Sequence, residues 1–184
     1  GAFGFRETAT GRMLRHVVDA EGRKLVAPTG SPMVTLDGDG PVAERQFTGT
    51  GFVLAGGRRI ATNRHVALPW EKDAAAEQMA ASGLEPEMTR MIGWLPGAAT
   101  AFAVTLAKAS DRADLAVVLP AAGADLAAAP GLVLATDPPA PGAEALVLGY
   151  PTGLRTLLAQ AGRTFVEGLE AEDVSDFWTI AERL

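Results

Sequence analysis

The chain contains two histidines, and one of them, His65, directly follows a strand-like run in Thr62-Asn63-Arg64-His65-Val66-Ala67. An imidazole there can pack in a core, ligate a metal or carry a proton in catalysis. The third use needs its far nitrogen anchored, ordinarily by a carboxylate that fixes the tautomer and stabilises the imidazolium. Asp114 is the candidate anchor. It stands in Ser110-Asp111-Arg112-Ala113-Asp114, just before the apolar run Leu115-Ala116-Val117-Val118-Leu119. Its carboxylate is therefore expected at a strand edge facing the interior, where a charge is costly unless hydrogen-bonded or paired. Asp111, earlier in the same turn, is under no such constraint and is expected to be solvated.

Other polar clusters read more plainly. His16 lies in a strand-like stretch without a motif around it, which points to a structural role. Asp37-Gly38-Asp39-Gly40 has the look of a calcium loop, but Pro41 takes the fifth position and no glutamate stands at the last ligand position, so a hairpin turn is the better reading. Gly49-x-Gly51 leads into strands and lacks the strand–turn–helix context of a dinucleotide site.

The elements that must position His65 and Asp114 are short strands. Residues 13–18 and 24–26 flank the turn Asp19-Ala20-Glu21-Gly22. Residues 32–36 lead into the Asp37 turn, and residues 50–54 and 59–63 flank Ala55-Gly56-Gly57-Arg58. Helical character appears over 70–81, with acids in the first turn and Gly83 closing it. Strands are predicted again over 89–94, 100–106, 115–119, 143–150 and 164–169. Residues 120–141, rich in Ala, Pro and Gly, read as a crossing between two packed units. The tail from 172 to 184 reads as a helix with Val174, Phe177, Trp178, Ile180 and Leu184 on one face. Strands at turn-spaced intervals, without alternating helices, argue for an all-β sandwich or barrel over a parallel α/β sheet.

Composition narrows the function classes. A net charge of −6 over 184 residues, with no strong basic patch beyond Arg58-Arg59, argues against nucleic-acid binding by phosphate neutralisation. Cysteine is absent, which excludes disulfide staples and thiolate chemistry. No apolar run approaches bilayer-spanning length. The first residues show no basic-then-apolar signal pattern, and the start at Gly1 reads as an artificial or processing boundary.

Three segments then carry a resemblance. Gly49-Thr50-Gly51-Phe52-Val53-Leu54 followed by Ile60-Ala61-Thr62-Asn63-Arg64-His65-Val66 resembles the first-barrel signature of trypsin-like serine peptidases, most closely the cysteine-poor bacterial HtrA (Deg) branch. Ser110-Asp111-Arg112-Ala113-Asp114-Leu115-Ala116-Val117 is similar to that family's aspartate segment. Val147-Leu148-Gly149-Tyr150-Pro151-Thr152-Gly153-Leu154 is similar to its Gly-x-Pro-x-Gly turn. The resemblance implies an all-β, chymotrypsin-like double β-barrel with inserted helices. Its first barrel would be complete over 1–120 with a helical insertion near 70–83. A linker would follow over 121–141, and residues 142–184 would begin an incomplete second barrel and add a C-terminal helical insertion. It also implies a serine endopeptidase in which His65 is the general base and Asp114 its orienting carboxylate. Neither metal nor organic cofactor is implied, and the substrate would be a protein or peptide.

The same resemblance exposes a departure. The family's nucleophile lies in a Gly-x-Ser-Gly-Gly segment of the second barrel. The four serines here are Ser31, Ser82, Ser110 and Ser175, and only Ser175 follows the Gly-x-Pro-x-Gly turn, at an acidic helix start. Two explanations stand: a fragment cut before the serine, or a family member that lost it. The unfinished barrel and apolar-faced tail favour the fragment, completed by a second polypeptide from the same precursor that carries the serine. The rival is a catalytically inactive trypsin-like domain used as a binding or regulatory module. The compartment stays open between bacterial cytoplasm and periplasm.

Overall fold

Phe3 and Phe5 set the first of two compact units. The computed structural model describes residues 1–55, 58–95, 100–124, 126, 129, 131–149, 163–172 and 179–180. The chain divides into one unit of Gly1–Phe47 with Leu68–Met91, and another of Thr48–Ala67 with Ile92–Leu184. The first contains β1 (Ala2–Glu7), β2 (Arg15–His16), β3 (Val34–Thr35), β4 (Arg45–Gln46), a 3-10 turn (Pro69–Lys72), α2 (Ala74–Ala81) and β7 (Leu84–Arg90). The second contains β5 (Gly51–Val53), β6 (Ile60–Thr62), α1 (Arg64–Ala67), β8 (Ile92–Gly93), β9 (Phe102–Ala109), β10 (Ala116–Pro120) and a helix over Arg163–Ala171. The chain is mostly antiparallel β with few helices, a chymotrypsin-like all-β architecture.

In the first unit β1 is the central strand of a sheet ordered β4-β1-β7. Phe3 pairs with Met88 and Phe5 with Pro86. Phe3, Phe5, Leu14 and Ala76 form the buried core, against which Trp70 and Met79 pack. Phe3 meets Phe5 edge-on at 5.8 Å and Trp70 at 5.5 Å between ring centroids, geometries that suit the ring quadrupoles. The helix predicted over 70–81 divides at Asp73, whose carboxylate accepts from the Ala75 and Ala76 N–H groups as the N-cap of α2. Gly83, at φ +79°, ends it in the left-handed region.

The single strand predicted over 89–94 is corrected to two: β7 runs from Leu84 to Arg90, and β8 covers Ile92–Gly93. Pro86 fits because β7 lies at the sheet edge, where a missing N–H need not break a ladder. The Asp19 turn forms as predicted: Val18 bridges Lys24, and the Gly22 N–H donates to the Asp19 carbonyl at 3.0 Å.

The second unit holds a five-stranded antiparallel sheet in the order β5-β6-β10-β9-β8. Ile60, Ala61, Thr62, Ala116 and Val118 are buried along its β6–β10 seam. Along β10 burial alternates, with Ala116, Val118 and Pro120 inward and Leu119 outward, the period expected of a one-sided sheet. Beyond it, Leu132 donates to the Val53 carbonyl at 2.8 Å and accepts from the Ala55 N–H at 2.9 Å, a parallel bridge beside β5.

Two predicted strands are corrected. Residues 143–149 form no strand, and Leu146, Val147 and Leu148 are exposed. Residues 163–171 form a helix in place of the strand predicted over 164–169. Arg163 and Glu167 pair one helical turn apart at 2.9 Å, and Phe165 and Leu169 share an i,i+4 face, so the helical period outweighs the β-branched composition. The turn Pro151-Thr152-Gly153 and most of the 172–184 tail lie outside the described residues; Thr179 and Ile180 are helical, with Ile180 buried.

Two outcomes follow from the first unit. Phe3→Ala removes the ring on which Phe5 and Trp70 pack and is expected to cost about 3–5 kcal/mol, read by urea unfolding. The Nδ1 of His16 is buried with no hydrogen-bond partner. Burial, then the Lys24 charge, holds its pKa below the usual 6.5. The folded state then binds fewer protons than the unfolded chain, so stability is present above the unfolded pKa and falls as pH drops below it. His16→Leu is expected to flatten that acid-side loss in a series of thermal melts.

Candidate active site

Antiparallel pairing decides which residues can meet. β6 and β10 run in register with Ile60 opposite Val118, Ala61 opposite Val117 and Thr62 opposite Ala116. The C-terminal end of β6 therefore lies beside the N-terminal start of β10. His65 follows the first end and Asp114 precedes the second. Sequence positions 49 residues apart are thus brought to one edge of the sheet.

At that edge the His65 ring Nδ1 lies 2.6 Å from Asp114 Oδ2, and the His65 backbone N–H donates to Asp114 Oδ1 at 2.9 Å. The same carboxylate thus holds both the backbone and the ring of His65. An ionised carboxylate can only accept, so the proton between them belongs to Nδ1. In the neutral ring Nε2 is then left bare and able to accept a proton. The Asn63 side-chain amide donates to the Asp114 carbonyl at 3.2 Å and to Oδ2 at 3.4 Å, tying the residue from a second direction.

The expectation of an inward-facing Asp114 is corrected. Its side chain is 41% exposed and that of His65 50%, so both stand at the surface of the sheet edge. The buried stretch of β10 begins at Ala116, two residues later, and the carboxylate is satisfied by hydrogen bonds instead of by burial against a partner. Asp111 is solvated as expected, with a side chain 95% exposed, although it also faces Arg64 Nη1 at 3.2 Å.

Local packing explains the glycines upstream. A Cβ at Gly49 would fall on the Val66 side chain, and one at Gly51 would stand 2.9 Å from Ile60 Cγ2 and 3.0 Å from the Ala61 carbonyl. Buried Thr62 donates its hydroxyl to the Thr50 carbonyl at 2.7 Å. The Gly-Thr-Gly segment thus lets the chain pass close against β6 and the helix that carries His65. The turn before Asp114 is organised by Ser110, whose Oγ accepts from the Arg112 and Ala113 N–H groups at 3.2 Å each. The sequence reading missed Arg64. Its Nη1 donates to the Ser110 carbonyl at 2.6 Å, a contact signalled only by its place beside the histidine.

Among the described residues no group of three or more His, Cys, Asp or Glu side chains is arranged to hold a metal ion. Within the same residues no helix is long and apolar enough to cross a membrane. A sheet edge that pairs an imidazole Nδ1 with a carboxylate is an arrangement that can accept and return a proton at Nε2. The model of the trypsin-like peptidase domain matches residues 49–177, and the chain belongs to that family. Comparison with curated proteins and with solved structures gives no match.

Gly49→Ala tests the local packing. The added methyl is expected to displace Val66 and cost about 1–3 kcal/mol in denaturant unfolding. Wild-type stability in that variant would mean that the helix carrying His65 does not rest on Gly49.

Proposed function

We propose that this chain is the histidine- and aspartate-bearing portion of a trypsin-like serine endopeptidase of the bacterial HtrA type, completed by a segment of the same precursor that supplies the nucleophilic serine. The observation that carries this reading is the 2.6 Å approach of His65 Nδ1 to Asp114 Oδ2 within the matched family domain. In the completed enzyme the serine hydroxyl gives its proton to His65 Nε2 as its oxygen attacks the peptide carbonyl. The imidazolium then protonates the leaving amine, and water repeats the cycle on the acyl-enzyme. Asp114 stays ionised throughout, holding the ring and offsetting its transient charge.

A second reading is favoured by the serines themselves. None of the four stands in a Gly-x-Ser-Gly-Gly segment, and the Ser110 hydroxyl oxygen is engaged by its own turn. On that reading the domain is an inactive peptidase relative that binds peptides or regulates a partner.

Protein hydrolysis and fluorophosphonate labelling of the longest natural form of the protein separate the two. The endopeptidase reading predicts labelling of one serine on a segment outside the present chain. It also predicts losses in kcat/KM of about 10⁴ for Asp114→Asn and at least as much for His65→Ala. Absence of both labelling and hydrolysis would remove the endopeptidase reading in favour of the binding module.

A further inference from the structure

We propose that Arg64 is a positioning residue for the His65–Asp114 pair, its guanidinium fastening the turn that carries Asp114 to the helix that carries His65. This rests on the peptidase reading above and names a further residue of the same site.

Arg64 opens α1, directly before His65. Its Nη1 donates to the Ser110 carbonyl at 2.6 Å and to Asp111 Oδ1 at 3.2 Å. Ser110 is where the turn leaves β9 territory: its N–H donates to the Leu115 carbonyl at 2.8 Å, and its Oγ accepts from Arg112 and Ala113. Those bonds make the turn rigid within itself but do not join it to α1. The Ser110 carbonyl supplies that join at the start of the turn, through Arg64. Asn63 supplies a second at its end, through the Asp114 carbonyl at 3.2 Å. A rigid turn held at both ends places Asp114 by construction.

These contacts with Ser110 and Asp111 carry unequal weight. Asp111 is almost fully exposed, and ion pairs of that kind contribute little. The Ser110 contact is short, partly buried and charge-assisted, which makes it the stronger of the two. Placement matters because a catalytic pair tolerates little displacement; a shift on the order of 1 Å can cost about 100-fold in rate. Both of these contacts are made by one nitrogen. A lysine, with three donors on one nitrogen, can recover part of the function.

The experiment compares Arg64→Met and Arg64→Lys in the full natural protein, with His65→Ala as reference, following kcat, KM and hydrogen exchange of the His65 backbone amide. The expected result is a drop in kcat on the order of tenfold for Arg64→Met with KM little changed. Faster exchange of the His65 amide should accompany it, and Arg64→Lys should reverse both in part. Wild-type kcat and amide exchange in Arg64→Met would overturn the proposal while His65→Ala still abolished activity. A matched loss in kcat and folding stability that lysine did not relieve would also overturn it, because that is the behaviour of a merely structural group. If the wild-type protein itself proved inactive, the peptidase reading would fall. The amide exchange of Arg64→Met would then decide by itself whether Arg64 holds the pair.

Discussion

The β6–β10 ladder is the constraint on which the site depends. Three registered pairs, Thr62 with Ala116, Ala61 with Val117 and Ile60 with Val118, place the exit of one strand beside the entry of the other. Their side chains are small or β-branched and mostly buried, so a slip of one residue would turn the apolar set outward and is strongly disfavoured. Because the register is fixed by burial, the segments that carry His65 and Asp114 are brought to one edge of the sheet before any bond forms between them. Their hydrogen bonds refine what the ladder has already decided. This separates the stability of the scaffold from the chemistry of the site: the seam is apolar and inward, while the pair stands half-exposed at its edge.

Asp114 shows how a charge is kept at such an edge. One carboxylate accepts from the His65 ring, the His65 amide and the Asn63 amide, and the Asn63 side chain also reaches the Asp114 carbonyl. Hydrogen bonds to an ionised acceptor are stronger than neutral ones, and several of them compensate the water that the group gives up. The result is a carboxylate aimed at one ring nitrogen, which leaves the other available. Gly49 contributes by its lack of a side chain, letting Val66 and therefore α1 settle against the segment that leads into β5.

The legible parts of the chain were those with local signals. The β5–β6 hairpin, α2 with Gly83 behind it, and the Asp19 turn each carry their own turn or cap residues. His65 and Asp114 were legible because each stands beside an apolar strand in a recognisable segment. The β1–β7 pair was not. It joins residues more than seventy positions apart, and the Glu85-Pro86-Glu87 run of β7 has the composition of a loop. Only the packing of Phe3 and Phe5 on the sheet reveals it. Residues 163–171 misled for the opposite reason: Thr-Phe-Val reads as strand, but an i,i+4 ion pair and an i,i+4 apolar face serve the segment as a helix. Arg64 was missed because its short contact is to a backbone carbonyl, which leaves no trace in residue type.

Asp114 holds His65 in one tautomer, with the proton on Nδ1 and Nε2 able to accept. With only two histidines in the chain, selective ¹⁵N labelling of the imidazoles gives a spectrum with one ring to assign besides His16. Neutral His65 is expected to carry its proton on Nδ1, hydrogen-bonded and slow to exchange, with an unprotonated Nε2. A ring protonated on Nε2, or one averaging freely between tautomers, would contradict it.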